Sequence, residues 1–294
     1  MLIKEKLENG DFSNSERVIV DYILENKMVI KDMTTKEIAN ATFTSPSTLI
    51  RIAHKMNYKG WNELKEAYLN EVEYLESHFD EIDANFPFQN DDTIMSIASK
   101  LAELKQEALQ DTLALVRHDD LQKAVQIIRK VDTIYVFAVS NNGLICQEFA
   151  HNMMRIGKKV ITATIQGELV FQAINADSNS CAIILSYSGE TPVLLRALQA
   201  LKANQIPVIG ITSIGENSLS KGTDVNMRIC TREKLFSKIA TFSTDVSFEY
   251  VLDLLYSCTF SLNYNQNVKR KIMTSRMIEK GRFSTLDILK EDEF

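Results

Sequence analysis

Between residues 133 and 230 the chain alternates short, continuously apolar runs with helical patterns, and few architectures accommodate that alternation. The apolar runs are TIYVFAVS, KKVITATI, CAIILSYS, IPVIGITS and DVNMRIC. Among the helical patterns between them are NGLICQEFAHNMMRIG and TPVLLRALQALKAN, whose apolar residues recur at helical spacing. A strand that is apolar on both sides must be covered on both sides, and strands joined by helical crossovers run parallel. The predicted unit is α/β, a parallel five-stranded sheet flanked by helices on both faces.

The first 76 residues follow a different rule. Val18, Ile19, Tyr22 and Ile23 recur at helical spacing with no alternating run nearby, so this part reads as all-α. From Ser77 the text turns polar and irregular, SHFDEIDANFPFQNDD, with Pro87 in its middle, which places a linker there. A helical stretch over 93–116 and then DDLQKAVQIIRK precede the first strand. The expected division is a helical domain at 1–76, linker and connecting helix at 77–118, the α/β domain at 119–264 and a charged helical tail at 265–294. A chain of 294 residues, 45% hydrophobic, has room for two ordinary cores.

A formal net charge of −6 excludes a protein that is basic all over, so any contact with nucleic acid requires a local patch. Residues 42–61, TFTSPSTLIRIAHKMNYKGW, supply one. No carboxylate occurs between Glu37 and Glu63, although with 39 acidic residues in 294 a span of that length should hold about three. Thr34 and Glu37 fit a capping box that opens the short helix TTKEIANA, which ends near Thr42. The turn FTS follows, and Ser45 is placed to cap a second helix with Pro46 at its first position. Leu49, Ile52, Ala53 and Met56 form the inward face of that helix, which puts Ser47, Thr48, Arg51, His54 and Lys55 on the other side. Two short helices and a tight turn match a helix-turn-helix, whose second helix lies in the major groove of double-stranded DNA. The predicted DNA contacts are Ser45, Ser47, Thr48, Arg51, His54, Lys55 and Lys59. The competing reading is an amphipathic helix with a solvated polar face. The missing acids favour DNA, because a carboxylate there would oppose the backbone charge.

A second motif lies where CAIILSYS runs into Ser186-Tyr187-Ser188-Gly189-Glu190-Thr191 and a helix begins, with Thr191 as cap and Pro192 in its first turn. At the carboxyl end of a parallel strand, backbone amides and a helix N-terminus converge. Ser186, Ser188 and Thr191 then offer donors to an anion, most naturally phosphate. Neither G-x-x-x-x-G-K-S/T nor G-x-G-x-x-G occurs here, so the expected ligand is a small phosphorylated molecule rather than a nucleotide.

Together the two stretches resemble the RpiR/MurR-type bacterial transcription regulators, which join an amino-terminal helix-turn-helix to a carboxyl-terminal sugar isomerase (SIS) domain. The resemblance covers nearly the whole chain. It is carried by SPSTLIRIAHKMNYKGWNELK, closing on Gly60, Trp61, Leu64 and Lys65, and by SYSGET with IPVIGITS and the SLS at 218–220 downstream. One departure concerns the first SIS strand, which in the family ends in Gly-x-Gly-x-Ser; the matching positions here hold Ala138, Ser140 and Asn142. Asn141 and Asn142 still carry amide donors, and Gly143 still permits close backbone approach.

The resemblance implies ligand contacts from Asn141, Asn142, Ser186, Ser188 and Thr191, and a sugar phosphate as effector. It implies a repressor of carbohydrate-metabolism genes, relieved by that effector, acting as a homodimer or homotetramer on a near-palindromic operator, with no cofactor or metal. The stripe Phe248, Val251, Leu252 and Leu255 serves either subunit contact or core packing. Related SIS enzymes need a positioned base, and Glu148, His151, Glu168 and Glu249 are available, but no base is visibly paired with an acid. A phosphosugar isomerase and a sugar-phosphate-binding module without a DNA role are the alternatives. The scattered Cys146, Cys181, Cys230 and Cys258 read as buried thiols of a reducing compartment. No apolar run approaches the ~20 residues that span a bilayer, so the expected location is the cytoplasm, away from membranes.

Overall fold

The computed structural model describes residues 2–77, 82–163, 165–286 and 288. Residues 78–81 of the expected linker, Thr164 in one expected strand, and 287 and 289–294 of the expected tail lie outside the described residues.

The amino-terminal part is helical: α1 Ile3–Asn9, α2 Asn14–Asn26, α3 Thr35–Ala41, α4 Pro46–Lys55 and α5 Trp61–Ser77, with a 3-10 turn at Lys27–Asp32. The predicted capping box opens α3, with Glu37 N donating to Thr34 Oγ1 at 3.2 Å and Thr34 N donating to Glu37 Oε2 at 2.6 Å. Ile19, Ile23, Ile38, Leu49, Ile52, Leu64 and Tyr68 form the shared core. Tyr22 packs against its edge, whereas Val18, predicted on the same face, is 50% exposed. Val18 precedes Ile19 by one residue, which rotates it by about 100° around the axis and out of the apolar stripe.

The rest of the chain builds α6 Ile94–Leu115, α7 His118–Arg129, β1 Thr133–Phe137, α8 Asn142–Arg155, β2 Lys159–Thr162, α9 Leu169–Ile174, β3 Ser180–Ser186, α10 Pro192–Ala203, β4 Val208–Thr212, α11 Ser218–Gly222, β5 Val225–Arg228, α12 Phe242–Ser261 and α13 Tyr264–Ile278. All five strands are parallel, in the order β2-β1-β3-β4-β5. Each predicted apolar run contributes one strand, and parity divides its side chains between two cores. Cys181, Ile183 and Leu185 of β3 pack with α7, α8 and α12 on one face. Ala182 and Ile184 pack with α9 and α10 on the other.

Phe248, Val251, Leu252 and Leu255 of α12 are all in the first of these cores, at most 2% exposed, so the stripe is core packing rather than subunit contact. α6 lies along α12. Polar contacts anchor it to the segment leaving β5: Arg232 Nε donates to the buried Asp111 at 2.6 Å, Arg232 also pairs with Glu107, and Cys230 N donates to Thr112 Oγ1 at 3.2 Å. Cys146, Cys181 and Cys230 are buried and Cys258 is half-buried, all four as free thiols. Burial pushes the Cys146 and Cys181 thiols up to about 12. Among the described residues no helix is long and apolar enough to cross a membrane.

A cavity at Phe248 would remove both its transfer free energy and its packing contacts. Phe248→Ala should destabilise the protein by about 3–5 kcal/mol in chemical denaturation, at any protein concentration.

Candidate functional site

The turn between α3 and α4 is set by backbone hydrogen bonds. Thr44 N donates to Ala39 O at 2.8 Å and Phe43 N to Asn40 O at 3.2 Å, with Phe43 in the left-handed region at φ +51°. Thr42 Oγ1 donates back to Ile38 O at 2.8 Å. Ser45 occupies the cap position of α4 with Pro46 after it, but its side chain makes no capping bond. Its hydroxyl lies instead 2.8 Å from Ser47 Oγ and 3.0 Å from Thr48 Oγ1.

Leu49, Ile52, Ala53 and Met56 are buried as predicted, and Ser45, Ser47, Arg51, His54, Lys55 and Lys59 are exposed. Thr48 departs from the predicted outward set, being only 2% exposed. It precedes Ile52 by four residues and shares that residue's inward direction. Its hydroxyl accepts from Arg51 Nη2 at 3.1 Å, so Thr48 orients the arginine from beneath. Lys55 is exposed but committed: Nζ pairs with the buried Glu16 at 2.7 Å, reaches Asp11 O at 3.2 Å and lies 5.7 Å from the Phe12 ring centre. His54 Nε2 donates to the Lys59 carbonyl at 3.2 Å. Among the described residues neither the Arg51 nor the Lys59 side chain has a carboxylate partner. They are the free cations of this face.

In the sheet, the winding direction reverses between β1 and β3, and loops leaving adjacent strands open a crevice at such a point. The N-termini of α8 and α10 follow those loops and present their positive ends there. In the second loop, Ser186 Oγ lies 2.9 Å from Thr191 Oγ1 and accepts from Gly189 N at 3.1 Å, while Ser188 Oγ accepts from Glu190 N at 3.2 Å. A hydroxyl that accepts from an amide keeps its own proton to give away, so Ser188 has a proton for an anion and the Ser186–Thr191 pair has one more. Gly189 holds φ +68°, and a Cβ there would meet Asn217 at 2.1 Å. Both conditions require glycine.

Asn142 begins α8, half-buried, on the first of the two loops. Asn141 is engaged elsewhere: its amide donates to Thr241 Oγ1 and to Asp245 Oδ1, each at 2.9 Å. Both amide hydrogens are used, so Asn141 fastens the loop to the start of α12 instead of offering the expected outward donors. Glu148, His151, Glu168 and Glu249 are exposed, and among the described residues none hydrogen-bonds to another titratable group. Burial, and then the neighbouring Glu148, raise the Glu249 carboxyl.

The family model for the helix-turn-helix domain of the rpiR family matches residues 1–74, and the model for the SIS domain matches residues 127–252. The chain belongs to the RpiR-type transcriptional regulators. It is 26% identical over 279 residues to an HTH-type transcriptional regulator of Caldanaerobacter subterraneus subsp. tengcongensis, covering 94% of this chain and 96% of that one. It is 22% identical over 280 residues to another from Clostridium perfringens, covering 95% and 99%. The Vibrio vulnificus NanR protein, solved as a complex with ManNAc-6P, shares the fold with a TM-score of 0.59 at 22% identity, covering 96% of this chain and 100% of that one. The two sequence relatives are HTH-type transcriptional regulators, and this chain, with its rpiR-family helix-turn-helix, is a DNA-binding transcriptional regulator.

Several residues of the regulator escape sequence reasoning because their partners are distant. Glu233, fully buried, accepts from Ser243 N at 2.7 Å, Thr244 N at 3.1 Å, Thr244 Oγ1 at 2.8 Å and Lys238 Nζ at 2.9 Å, closing the start of α12. Tyr187 fixes the 186–191 loop to the same residue, its hydroxyl donating to Glu233 O at 2.8 Å and accepting from Glu233 N at 3.0 Å. Burial, and then the Glu233 charge among the nearby acids, raise the Asp245 carboxyl. Acceptance of a bond from Glu190 N by Ser188 is local; the side chain of Glu190 reaches on to Ser218 N at 2.7 Å. Glu216, two residues before Ser218, pairs with Lys6 of α1 at 2.6 Å, so the two halves of the regulator meet beside the crevice.

The Lys55 ammonium, followed by the Ser13 amide, holds the Glu16 carboxyl down to about 2 from an ordinary 4.5. A depressed carboxylate stabilises the fold above its unfolded pKa, and that contribution fades as pH falls from about 4.5 towards 2. Melting temperature against pH should fall across that window in the wild type and fall less steeply in Glu16→Gln.

Proposed function

We propose that a sugar phosphate binds at the crevice beside residues 186–191 and controls operator binding by α4. The observation that carries this reading is the 186–191 loop: hydroxyl protons held beside helix N-termini, with no lysine and no positioned base. The ManNAc-6P complex of the Vibrio vulnificus protein, similar over the whole chain, supports the ligand class. Ser186, Ser188, Thr191 and Asn142 are the proposed ligand contacts, with Asn141 as their brace. Ser45, Ser47, Arg51, His54 and Lys59 are the proposed DNA contacts, with Thr48 and Lys55 holding α4 in shape.

The functional division follows 1–76, 77–118, 119–264 and 265–294. The regulator works in the cytoplasm as a homodimer whose two helix-turn-helix units grip half-sites of a near-palindromic operator. Exposed Leu144 in the first turn of α8 and Leu235 and Phe236 after β5 support a covering second subunit. Wild-type sedimentation at the monomer mass would remove that part.

Ligand must favour one arrangement of the two halves over another for any switch to occur. Gly189 O accepts from Leu219 N at 3.0 Å and Glu190 holds Ser218 N, so closure of the loop on phosphate draws the 213–218 segment with it. Arg228 braces that segment at Ser213 O, 3.0 Å away, and at Gly215 O. Glu216 then transmits the movement to Lys6, and the operator is released. Lys6→Met should leave ligand-free operator affinity within about twofold while shrinking the effect of sugar phosphate on it. An undiminished response would remove this route.

The two sites separate in one crossed experiment. Arg51→Ala should weaken operator binding by ~1–3 kcal/mol and keep the thermal shift produced by sugar phosphates. Ser186→Ala with Ser188→Ala should do the reverse, keeping ligand-free operator binding and losing the thermal shift. Turnover of any hexose or amino-sugar phosphate by the purified protein would overturn the sensing role.

A further inference from the structure

Among the described residues, α3, α4, α8 and α10 end with the same pair of backbone hydrogen bonds around a left-handed residue. The left-handed positions hold Phe43, Asn57, Gly157 and Gln205. Glycine has no Cβ to strain there, and asparagine compensates through local hydrogen bonding. Phe43 has neither recourse, and the left-handed conformation strains it. Packing within the chain offers no offset, because the ring is 98% exposed. A strained backbone and an aromatic side chain left in water coincide at one residue, in the turn that leads into α4.

Resting on the reading of α4 as the DNA-reading helix, we propose that Phe43 is a further specificity-determining residue whose ring packs on the 5-methyl group of a thymine. Phe43 precedes the cap residue Ser45 by two positions, within about 7 Å of chain from the start of α4. The first turn of such a helix meets base edges in the major groove. The thymine methyl is the apolar group displayed there, and apolar side chains read it. The surroundings suit a duplex: Thr44, Ser45 and Ser47 carry hydroxyls, and no carboxylate lies between Glu37 and Glu63.

The test uses full-length protein and a duplex selected by the wild type from a randomised library. Phe43→Asn and Phe43→Gly place residues suited to the left-handed region, so both should keep or raise the melting temperature while weakening the selected duplex at least about fivefold. Replacing the contacted thymine by deoxyuridine deletes only the methyl. That change should weaken the wild type by a similar factor and leave Phe43→Asn indifferent. Variants that bind as tightly as the wild type overturn the proposal, and so does a loss that is the same on thymine and deoxyuridine duplexes. A changed sedimentation of DNA-free Phe43→Asn, with wild-type sensitivity to deoxyuridine retained, assigns the ring to a second copy of the chain and also overturns it. Failure of the wild type to select any duplex would sink the DNA reading of α4 itself.

Discussion

The parallel sheet winds one way from β1 to β2 and the other way from β1 to β3, and the crevice of the proposed ligand site depends on that reversal. Phe137, the last residue of β1, pairs with Ile184 two residues before the end of β3, and both are fully buried. The loops that follow are thereby fixed side by side, each leading into a helix N-terminus. Hydroxyls in the second loop are prearranged by bonds to its own amides, so little ordering is left for a ligand to impose. Gly189 lets the loop lie against Asn217, and Tyr187 fastens its other side to Glu233.

Charge on the helix-turn-helix is sorted in the same manner. The outer face of α4 excludes acids, yet a buried acid from α2, Glu16, takes hold of Lys55 and converts a cation of that face into a structural clamp. Thr48 occupies an inward position and supports Arg51 from below. What remains for a polyanion is a smaller set, Arg51 and Lys59 with the hydroxyls at the start of the helix. Preorganisation of Arg51 lowers the rotamer entropy lost on binding.

One contact between the two halves is the ion pair of Lys6 with Glu216, both partly exposed, and Tyr58 lies within electrostatic reach of Glu216 and Arg228. Such pairs contribute about 0–1 kcal/mol. A weak connection suits a switch, because a ligand that binds one arrangement slightly better is then enough to redistribute the populations. The segment bearing Glu216 is held on one side by Arg228 and on the other by Glu190 of the 186–191 loop.

Much of this was legible in the residues alone, because it rests on local periodicity. Unbroken apolar runs determined five parallel strands covered on both sides, the Thr34–Glu37 pair determined where α3 begins, and the inward quartet Leu49, Ile52, Ala53 and Met56 determined how α4 sits. Facing at the margins of a stripe was not legible: Val18 fell outside and Thr48 inside, since one residue is 100° of helix and a boundary residue is placed by its neighbours in space. Partners far apart in sequence were hidden altogether. Asn141 with Asp245, Glu16 with Lys55, Glu233 with the start of α12 and Lys6 with Glu216 each join segments that local periodicity treats separately. Sequence determined which segments become strands and helices, because backbone hydrogen bonding and burial act over a few residues. Tertiary structure alone decided which polar groups are spent on one another and which stay free, because that depends on distances no short window contains.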